Sequence, residues 1–318
     1  MQHSQEAPAP GQPIALAPGL LRVLAPNPAR MTHWGTNSYL LGTDRLAVID
    51  PGPADPRHLA ALRAAIDGRP VSHILVTHAH LDHSPLAAPL ARETGAPVLA
   101  FGDARAGRSA AMAKLTRAAA LGGGEGVDAG FVPDQCLTED ETVTGDGWTL
   151  RALHTPGHMG NHLCLLWGDT AFSGDHVMGW ATSLVSPPDG DLSDFMASLA
   201  RLAATGVQKL WPGHGAPVAD AQARITALTA HRAARTAQIR AALAQAPGTA
   251  AEITARVYTE VPPALLPAAE RNVLAHLIAL CRSGQARHQG PLTARARFAA
   301  ADRPTPRRDG SAGAVSKN

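Results

Sequence analysis

The stretch THAHLDH places His78, His80, Asp82 and His83 within six positions. Neutral imidazole and carboxylate are donors that Zn²⁺ and similar ions accept. Where a chain leaves a strand extended, residues two apart point the same way, so His78 and His80 can reach one ion. Asp82 and His83 follow in the turn and can reach a second. A lone histidine in a loop would be an ordinary polar residue, but further donors recur downstream. His158 stands in TPGH, Asp175 in SGD and His214 in PGHG, each in a loop after an apolar run and beside a glycine. Glycine there permits tight turns and close backbone approach. An aspartate has two oxygens and is able to bridge two ions.

The elements that must hold these residues read as a strand–helix rhythm. Short apolar runs bounded by Gly, Pro, Asn and Asp, such as LLRVLAP, NSYLLGT and RLAVIDPGP, indicate strands with tight turns. DPRHLAALRAAIDG has helical spacing and stops at Gly68, VSHILVTH is a buried strand, and PLAAPLARETG is a helix ending at Gly95. The residues from Arg105 to Ala120 read as a helix, and LGGGEGVDAG as a flexible insertion and lid. A second β-rich half follows, with a helix near Ser193 to Ala203 and a closing strand in VQKLWPGHG. Two halves that each run through strands into a His-bearing loop predict two facing sheets with helices outside. The chain therefore divides into a mobile N-terminus (1–19), a catalytic domain (20–218), a connecting Ala/Arg helix (219–246), a compact helical unit (247–291) and a disordered tail (292–318). The helix in AAERNVLAHLIALCRSG carries Val273, Leu274, Leu277, Ile278 and Leu280, too many apolar residues for one solvated face.

Composition narrows the setting. A hydrophobic share of 45% supports a full core, and a formal charge of +2 gives no global electrostatic case for nucleic acid. Cys136, Cys164 and Cys281 form no CxxC pair, which fits a reducing cytoplasm better than a disulfide scaffold. The opening MQHSQEAPAPGQP lacks a basic flank followed by an apolar core, so no signal peptide is expected. No uncharged apolar stretch reads as long enough to span a bilayer. Oligomeric state is left open.

HAHLDH, followed in order by TPGH, SGD and PGHG and preceded by Asp50 in VIDPGP, resembles the motif series of the metallo-β-lactamase superfamily. The resemblance covers roughly residues 28–217. It implies an α+β fold, an αββα sandwich with a two-metal site at one edge. Carried onto this sequence, it assigns His78, His80 and His158 to a first ion, Asp82, His83 and His214 to a second, and Asp175 as the bridge. Asp50 would orient a ligand, and His162 would support the site rather than bind. Two Zn²⁺ are the expected cofactors, with Mn²⁺ or Fe as alternatives, since His/carboxylate sites do not select by ligand type alone. Such a pair lowers the pKa of a bridging water, and the resulting hydroxide attacks an ester-like bond. Asp82, at the edge, is the natural proton acceptor. A true β-lactamase is disfavoured, because the lactamase branches use Cys at the second metal or lack a bridging Asp, whereas this chain has His83 and Asp175.

The C-terminal stretches AHRAARTAQIRAAL, TAAEITARVY and AAERNVLAHLIALCRSGQAR resemble the winged-helix extension of one branch, which includes a β-lactamase-like endoribonuclease. That branch implies a single-stranded RNA phosphodiester as substrate. A thioester hydrolase of the glyoxalase II or acyl-carrier kind is the alternative, and a non-enzymatic nucleic-acid-binding protein a third. The winged helix is expected to pack on the catalytic domain rather than bind nucleic acid. His33, Trp34 and Asn37 in THWGTNSYL are candidates to line the substrate cleft, and His154 and His176 to sit near the site.

Overall fold

A computed structural model describes residues 7–117 and 121–301. The first half forms a seven-stranded sheet whose spatial order follows the sequence: β1 (Pro13–Ala17), β2 (Leu20–Leu24), β3 (Asn37–Leu41), β4 (Leu46–Ile49), β5 (Val71–Leu75), β6 (Val98–Ala100) and β7 (Gln135–Cys136). β1 to β4 pair antiparallel, and β4 to β7 run parallel. The parallel stretch matters for the site. Ile49 pairs with Leu75, so Asp50 and the residues after Leu75 leave the sheet at one edge.

The second sheet has five strands. β8 (Thr142–Gly145), β9 (Trp148–His154), β10 (Leu163–Trp167) and β11 (Thr170–Gly174) form an antiparallel meander, and β12 (Lys209–Pro212) adds in parallel beside β11. Gly174 pairs with Pro212, so Asp175 and His214 emerge together. In β9, Trp148, Leu150 and Ala152 turn inward while Thr149 and Arg151 face out, the period-2 alternation of a half-buried strand. The two sheets meet through Leu20, Tyr39, Ile49 and Leu75 on one face and Trp148, Leu165, Phe172 and Trp211 on the other.

Helices cover both outer faces. α1 (Pro56–Ile66) and α2 (Ala87–Thr94) pack Leu62, Ile66 and Leu90 against Leu40, Val48 and Ile74 of the first sheet. Asp55 caps α1 by accepting the Arg57 N–H at 2.8 Å, and Pro56 follows at the first turn, where its missing N–H costs nothing. α3 is shorter than expected, Ala110–Arg117, with Arg105 and Ala106 held instead in a turn on the Asp103 carboxylate. Residues 118–120 lie outside the described residues. α4 (Leu192–Ala204) presses Phe195, Leu199 and Leu202 onto Cys164, Leu166 and Leu210 of the second sheet. The αββα sandwich is as expected.

The long helix α5 (Ala221–Gln245) belongs to two cores. Its first half buries Ile225 and Leu228 in the sandwich cluster, and its second half buries Ile239 and Leu243 in the C-terminal cluster. α6 (Ala250–Val257), opened by a Thr249–Glu252 capping box, and α7 (Leu266–Arg282) complete the helical part. Val273, Leu274, Leu277, Ile278 and Leu280 are all buried there. The segment Pro263–Arg282 is long and apolar enough by length and composition to cross a membrane, but Glu270, Arg271 and Arg282 interrupt it and its apolar face forms this core.

Two boundaries differ from the sequence reading. Residues 13–17 are not a mobile terminus: β1 pairs with β2, and Leu16 and Ala17 pack on the inter-sheet core. Residues 292–301 are not a disordered tail either. β13 (Ala286–Gln289) and β14 (Arg297–Ala300) form an antiparallel hairpin, Phe298 is fully buried, and Phe298 exchanges two backbone hydrogen bonds with Gly248. One large apolar side chain in an Ala/Arg-rich run anchors the strand, a weak signal in composition. The expected mobile residues 1–6 and tail residues 302–318 lie outside the described residues.

Candidate metal centre

All the donors singled out in sequence converge at one edge of the sandwich. His78, His80, His158 and Asp175 bring one ligand atom each to within 4.8 Å of one another, and Asp82, His83 and His214 form a second such group. His80 Nδ1 lies 2.9 Å from His78 Nε2 and 3.1 Å from His158 Nε2, and His83 Nε2 lies 3.3 Å from His214 Nε2. Asp175 stands between the groups. Its Oδ2 is 3.6 Å from His158 Nε2, and its Oδ1 is 3.3 Å from His214 Nε2 and 3.5 Å from His83 Nε2. Asp82 Oδ2 is 3.1 Å from His214 Nε2 and, at 26% exposure, is the more open carboxylate of the two.

The outward nitrogens explain why the inward ones are free to bind. His158 Nδ1 donates to the Leu184 carbonyl at 2.7 Å and His214 Nδ1 to the Gly35 carbonyl at 3.0 Å. His83 Nδ1 donates to Asp50 Oδ2 at 2.9 Å. Thr77 Oγ1 donates to the same carboxylate at 2.8 Å, so its lone pair accepts from His78 Nδ1 at 3.0 Å. In all four rings the outer nitrogen faces an acceptor, so a ring holding a single proton would carry it there and turn Nε2 into the cluster. Asp50 also accepts the Thr77 N–H at 2.7 Å and so fixes both ligand groups from behind.

The electrostatics point the same way. Burial opposes a proton on His83 and His214, but the surrounding carboxylates outweigh it. Asp82, Asp175 and Asp50 hold His83 well above the ordinary imidazole value, and Asp175 and Asp82 bring His214 to about 9. Burial would raise Asp82 and Asp175, yet His83 and His214 hold both below the carboxylate range. This pocket is an anionic cage that demands positive charge. On the other side burial dominates, with neighbouring imidazoles adding to it: His78 lies well below its ordinary value and His80 falls to about 3. Asp175 Oδ1 is buried with no hydrogen-bond donor. Converging ring nitrogens, an undonated carboxylate oxygen and a demand for positive charge fit two metal ions, whose binding would displace protons from His83 and His214.

Glycines make the close approach possible. A Cβ at Gly213 would lie 2.6 Å from Asp175 Oδ1 and 2.7 Å from His83 Cε1. One at Gly174, where φ is +45°, would lie 2.6 Å from His162 Nε2.

The remaining sequence candidates separate. His162 joins neither ligand group; its Nε2 accepts the Asp175 N–H at 3.2 Å and its Nδ1 contacts Thr155 Oγ1 at 2.9 Å. His154 stacks on Phe101 and braces the Gly160 carbonyl at 2.8 Å. His176 is buried against Phe195 with both ring nitrogens unpartnered. Asn37 does not line a cleft: it is buried and donates to the Pro212 and Gly215 carbonyls, each at 2.9 Å, clamping the His214 loop. His33 and Trp34 do lie at the half-buried rim.

The expected flexible insertion has a different role. Its Gly126 carbonyl accepts the Leu81 N–H at 2.7 Å, and Asp128 accepts from Ser84 Oγ at 2.7 Å, so it pins the turn that carries Asp82 and His83. Sequence reading also missed Ser183 and Arg232. Ser183 Oγ donates to the Asp175 carbonyl, and buried Arg232 donates to the Ser183 carbonyl. Asn272 of α7 accepts from both Arg232, at 3.1 Å, and the Val185 N–H, at 3.1 Å. The C-terminal helices thus brace the segment that supports His158 and Asp175. No local motif marks such contacts, because their partners lie far apart in sequence.

Two facing sheets with His/Asp groups gathered at their edge point to the class of metal-dependent hydrolases. Residues 31–214 match the metallo-beta-lactamase superfamily, and residues 249–294 match the beta-lactamase associated winged helix domain. The chain belongs to the metallo-beta-lactamase superfamily and is a metal-dependent hydrolase of it. It is 31% identical to "Beta-lactamase-like protein 2 homolog" of Drosophila melanogaster, over 86% of this chain and 91% of that one. It is 33% identical to "Atrochrysone carboxyl ACP thioesterase" of Aspergillus fumigatus, over 66% of this chain and 60% of that longer one. Among solved structures, a beta-lactamase domain protein from Burkholderia ambifaria superposes with a TM-score of 0.77 at 26% identity, covering 94% of this chain and 96% of that one.

Proposed function

We propose that the protein is a thioester hydrolase whose ions are held by His78, His80 and His158 on one side and Asp82, His83 and His214 on the other, with Asp175 shared. The observation that carries the choice of bond is the state of the arginines around the site. Arg108 pairs with Asp189, and Arg282 with Asp191 at 2.6 Å. Arg224 donates to the Met178 and Ala181 carbonyls, and Arg271 to Ser186 Oγ and the Leu121 and Pro187 carbonyls. These four cations are committed to holding loops, and exposed Arg30 is the single cation lining the groove by Trp180, whereas an RNA strand needs a row of cations facing its phosphates. Similarity to the acyl-carrier thioesterase supports the same reading. Unpaired Cys136, Cys164 and Cys281 support the expected reducing, cytoplasmic setting.

Bound ions would supply a hydroxide nucleophile at neutral pH and polarise the carbonyl under attack. The chain's own part is to aim and to move a proton. Asp50, Thr77 and the Leu184 and Gly35 carbonyls lock the imidazoles, so little reorganisation is needed at the moment of reaction. Asp82, the more open of the two carboxylates, accepts the proton released as the nucleophile adds. A thiolate leaving group, with a pKa of about 8.5, departs without a dedicated acid. Zn²⁺ is the ion we assign, on the mixed imidazole and carboxylate donor set.

A panel of S-acyl thioesters run beside single-stranded RNA tests this reading. Turnover of thioesters, abolished by chelation and restored by Zn²⁺, is expected. Cleavage of RNA with no thioester turnover would overturn it.

A further inference from the structure

β3 carries Asn37, Ser38 and Tyr39 in a row, and a strand sends successive side chains to opposite faces. Asn37 and Tyr39 turn to the inter-sheet side. Asn37 Nδ2 donates to the Pro212 and Gly215 carbonyls, each at 2.9 Å, and Tyr39 Oη to the Pro212 carbonyl at 2.7 Å, so both hold the loop of His214. Ser38, like Leu40, turns the other way, under α1. Its Oγ donates to the Asp50 carbonyl at 2.5 Å and meets His58 Nε2 at 2.8 Å.

Ser38 has one hydroxyl proton, and it goes to Asp50, so His58 Nε2 is the donor in the second contact. Burial, only partly offset by Asp55, brings His58 down to about 4, which leaves the ring neutral and its Nδ1 bare. That Nδ1 is buried without a hydrogen-bond partner among the described residues. A leucine would fill this place with no polar atom left over, so packing alone does not account for the imidazole. The ring also lies against Gly52, where a Cβ would come within 2.7 Å of its Cδ2 and 2.9 Å of its Nε2. The turn held in this way is strained. Asp50 has a φ of 49°, a left-handed conformation costly to a residue with a side chain, and Gly52 follows at 95°. It is also the turn behind the ligands. Asp50 accepts from His83 Nδ1, Thr77 Oγ1 and the Thr77 N–H, and the Gly52 N–H donates to the His83 carbonyl at 2.8 Å.

We infer that Ser38 and His58 are positioning residues for the ion group of Asp82, His83 and His214. His58 orients the Ser38 hydroxyl, the hydroxyl fixes the Asp50 peptide, and the Asp50 carboxylate then meets His83. With Asn37 and Tyr39 on its other face, β3 sets both imidazoles of that group, His83 through Asp50 and His214 through its loop. The inference rests on the ligand assignment above and not on the choice of bond hydrolysed.

The test measures two quantities on the full chain for the native protein, Ser38→Ala, His58→Leu and His58→Gln. One is Zn²⁺ affinity by chelator competition; the other is the exchange rate of the Gly52 and Thr77 amides in the metal-free chain. Ser38→Ala and His58→Leu should each weaken Zn²⁺ binding by about fivefold, less than the ~10–100-fold that follows loss of a ligand's direct partner. His58→Gln, whose amide N–H stands where Nε2–H stood, should stay within about twofold of native. The Gly52 and Thr77 amides should exchange about fivefold faster in Ser38→Ala. Ser38→Ala removes a single oxygen and guards against misfolding at His58. Native-like Zn²⁺ affinity in Ser38→Ala, or His58→Gln as weak as His58→Leu, would overturn the inference. The two readings fail separately. If the native chain takes up no Zn²⁺, the ligand assignment falls and the exchange rates decide the rest: faster exchange in Ser38→Ala upholds the hold on the Asp50 turn, and unchanged exchange removes it.

Discussion

The ligand cluster and the C-terminal unit are held together by opposite means. In the cluster four imidazoles answer to a named polar partner: His83 to Asp50, His78 to Thr77, His158 to the Leu184 carbonyl and His214 to the Gly35 carbonyl. In the C-terminal unit the order comes from apolar packing, with Ile239, Leu243, Ile253, Leu277 and Phe298 drawn from four separate segments. The first region gathers the donors; the second braces the loop behind two of them. The two meet at Ser183, Val185, Arg232 and Asn272, where packing of the helices is transmitted to the loop behind His158 and Asp175.

The comparison is broken most severely through Asp175. Asp175→Ala leaves two cations facing each other with no anion between them. Elemental analysis should show loss from both groups, and turnover should fall by at least about a thousandfold, since several kcal/mol of charge stabilisation go with it. Asp82→Asn should keep metal at the His78, His80 and His158 group while turnover falls. Intact metal and turnover in Asp175→Ala would show that this carboxylate does not join the two groups.

Phe298→Ala probes the other region. It removes a fully buried ring from the hairpin that closes the C-terminal core and should cost about 3–5 kcal/mol in denaturant unfolding. Metal content should be retained as long as the chain stays folded. A change under 1 kcal/mol would mean that β14 adds little to this core.

Asp50→Asn acts behind the cluster rather than in it. Its carboxylate serves His83, Thr77 and, through Thr77, His78. Zn²⁺ affinity should drop by about 10–100-fold in a chelator competition. An unchanged affinity would show that the imidazoles hold their orientation without it.

The smallest effect is a pH dependence in the C-terminal unit. Burial, with Arg232 and Arg235 nearby, pushes His276 down to about 3, and its ring contacts Thr236 Oγ1 at 2.9 Å. Above an ordinary pKa of about 6.5 the ring is neutral in both folded and unfolded chains and contributes no pH dependence. As pH falls below that value the unfolded chain takes up a proton that the folded chain refuses, so stability is lost down towards pH 3. His276→Leu should therefore lose less stability than the native protein between pH 7 and pH 4, by up to a few kcal/mol. Parallel unfolding curves for the two proteins would remove His276 from the acid response.

The cluster was legible in sequence because its chemistry is local and its spacing is rigid. HAHLDH, TPGH, SGD and PGHG each carry a donor next to the residues that turn it, and the parallel pairs β4–β5 and β11–β12 bring their ends to one edge. The residues behind the donors were not. Thr77 and Ser183 are common polar residues, and their importance appears only with the partners that the fold delivers. Asn37 looked like a cleft residue but clamps the His214 loop from inside. The glycine-rich stretch near Gly124 looked free because glycine removes local preference, yet tertiary hydrogen bonds from Leu81 and to Asp189 decide its shape. In the C-terminal unit, apolar spacing revealed α7, while a strand anchored by Phe298 alone gave no period to read.

The account rests on two facing donor groups acting as a pair of ion sites. Elemental analysis of the purified full chain after refeeding with Zn²⁺, set beside the Asp175→Ala variant, tests that most directly. The expected result is close to two ions per native chain and a marked loss from both groups in the variant. One ion per native chain, or none, would contradict it.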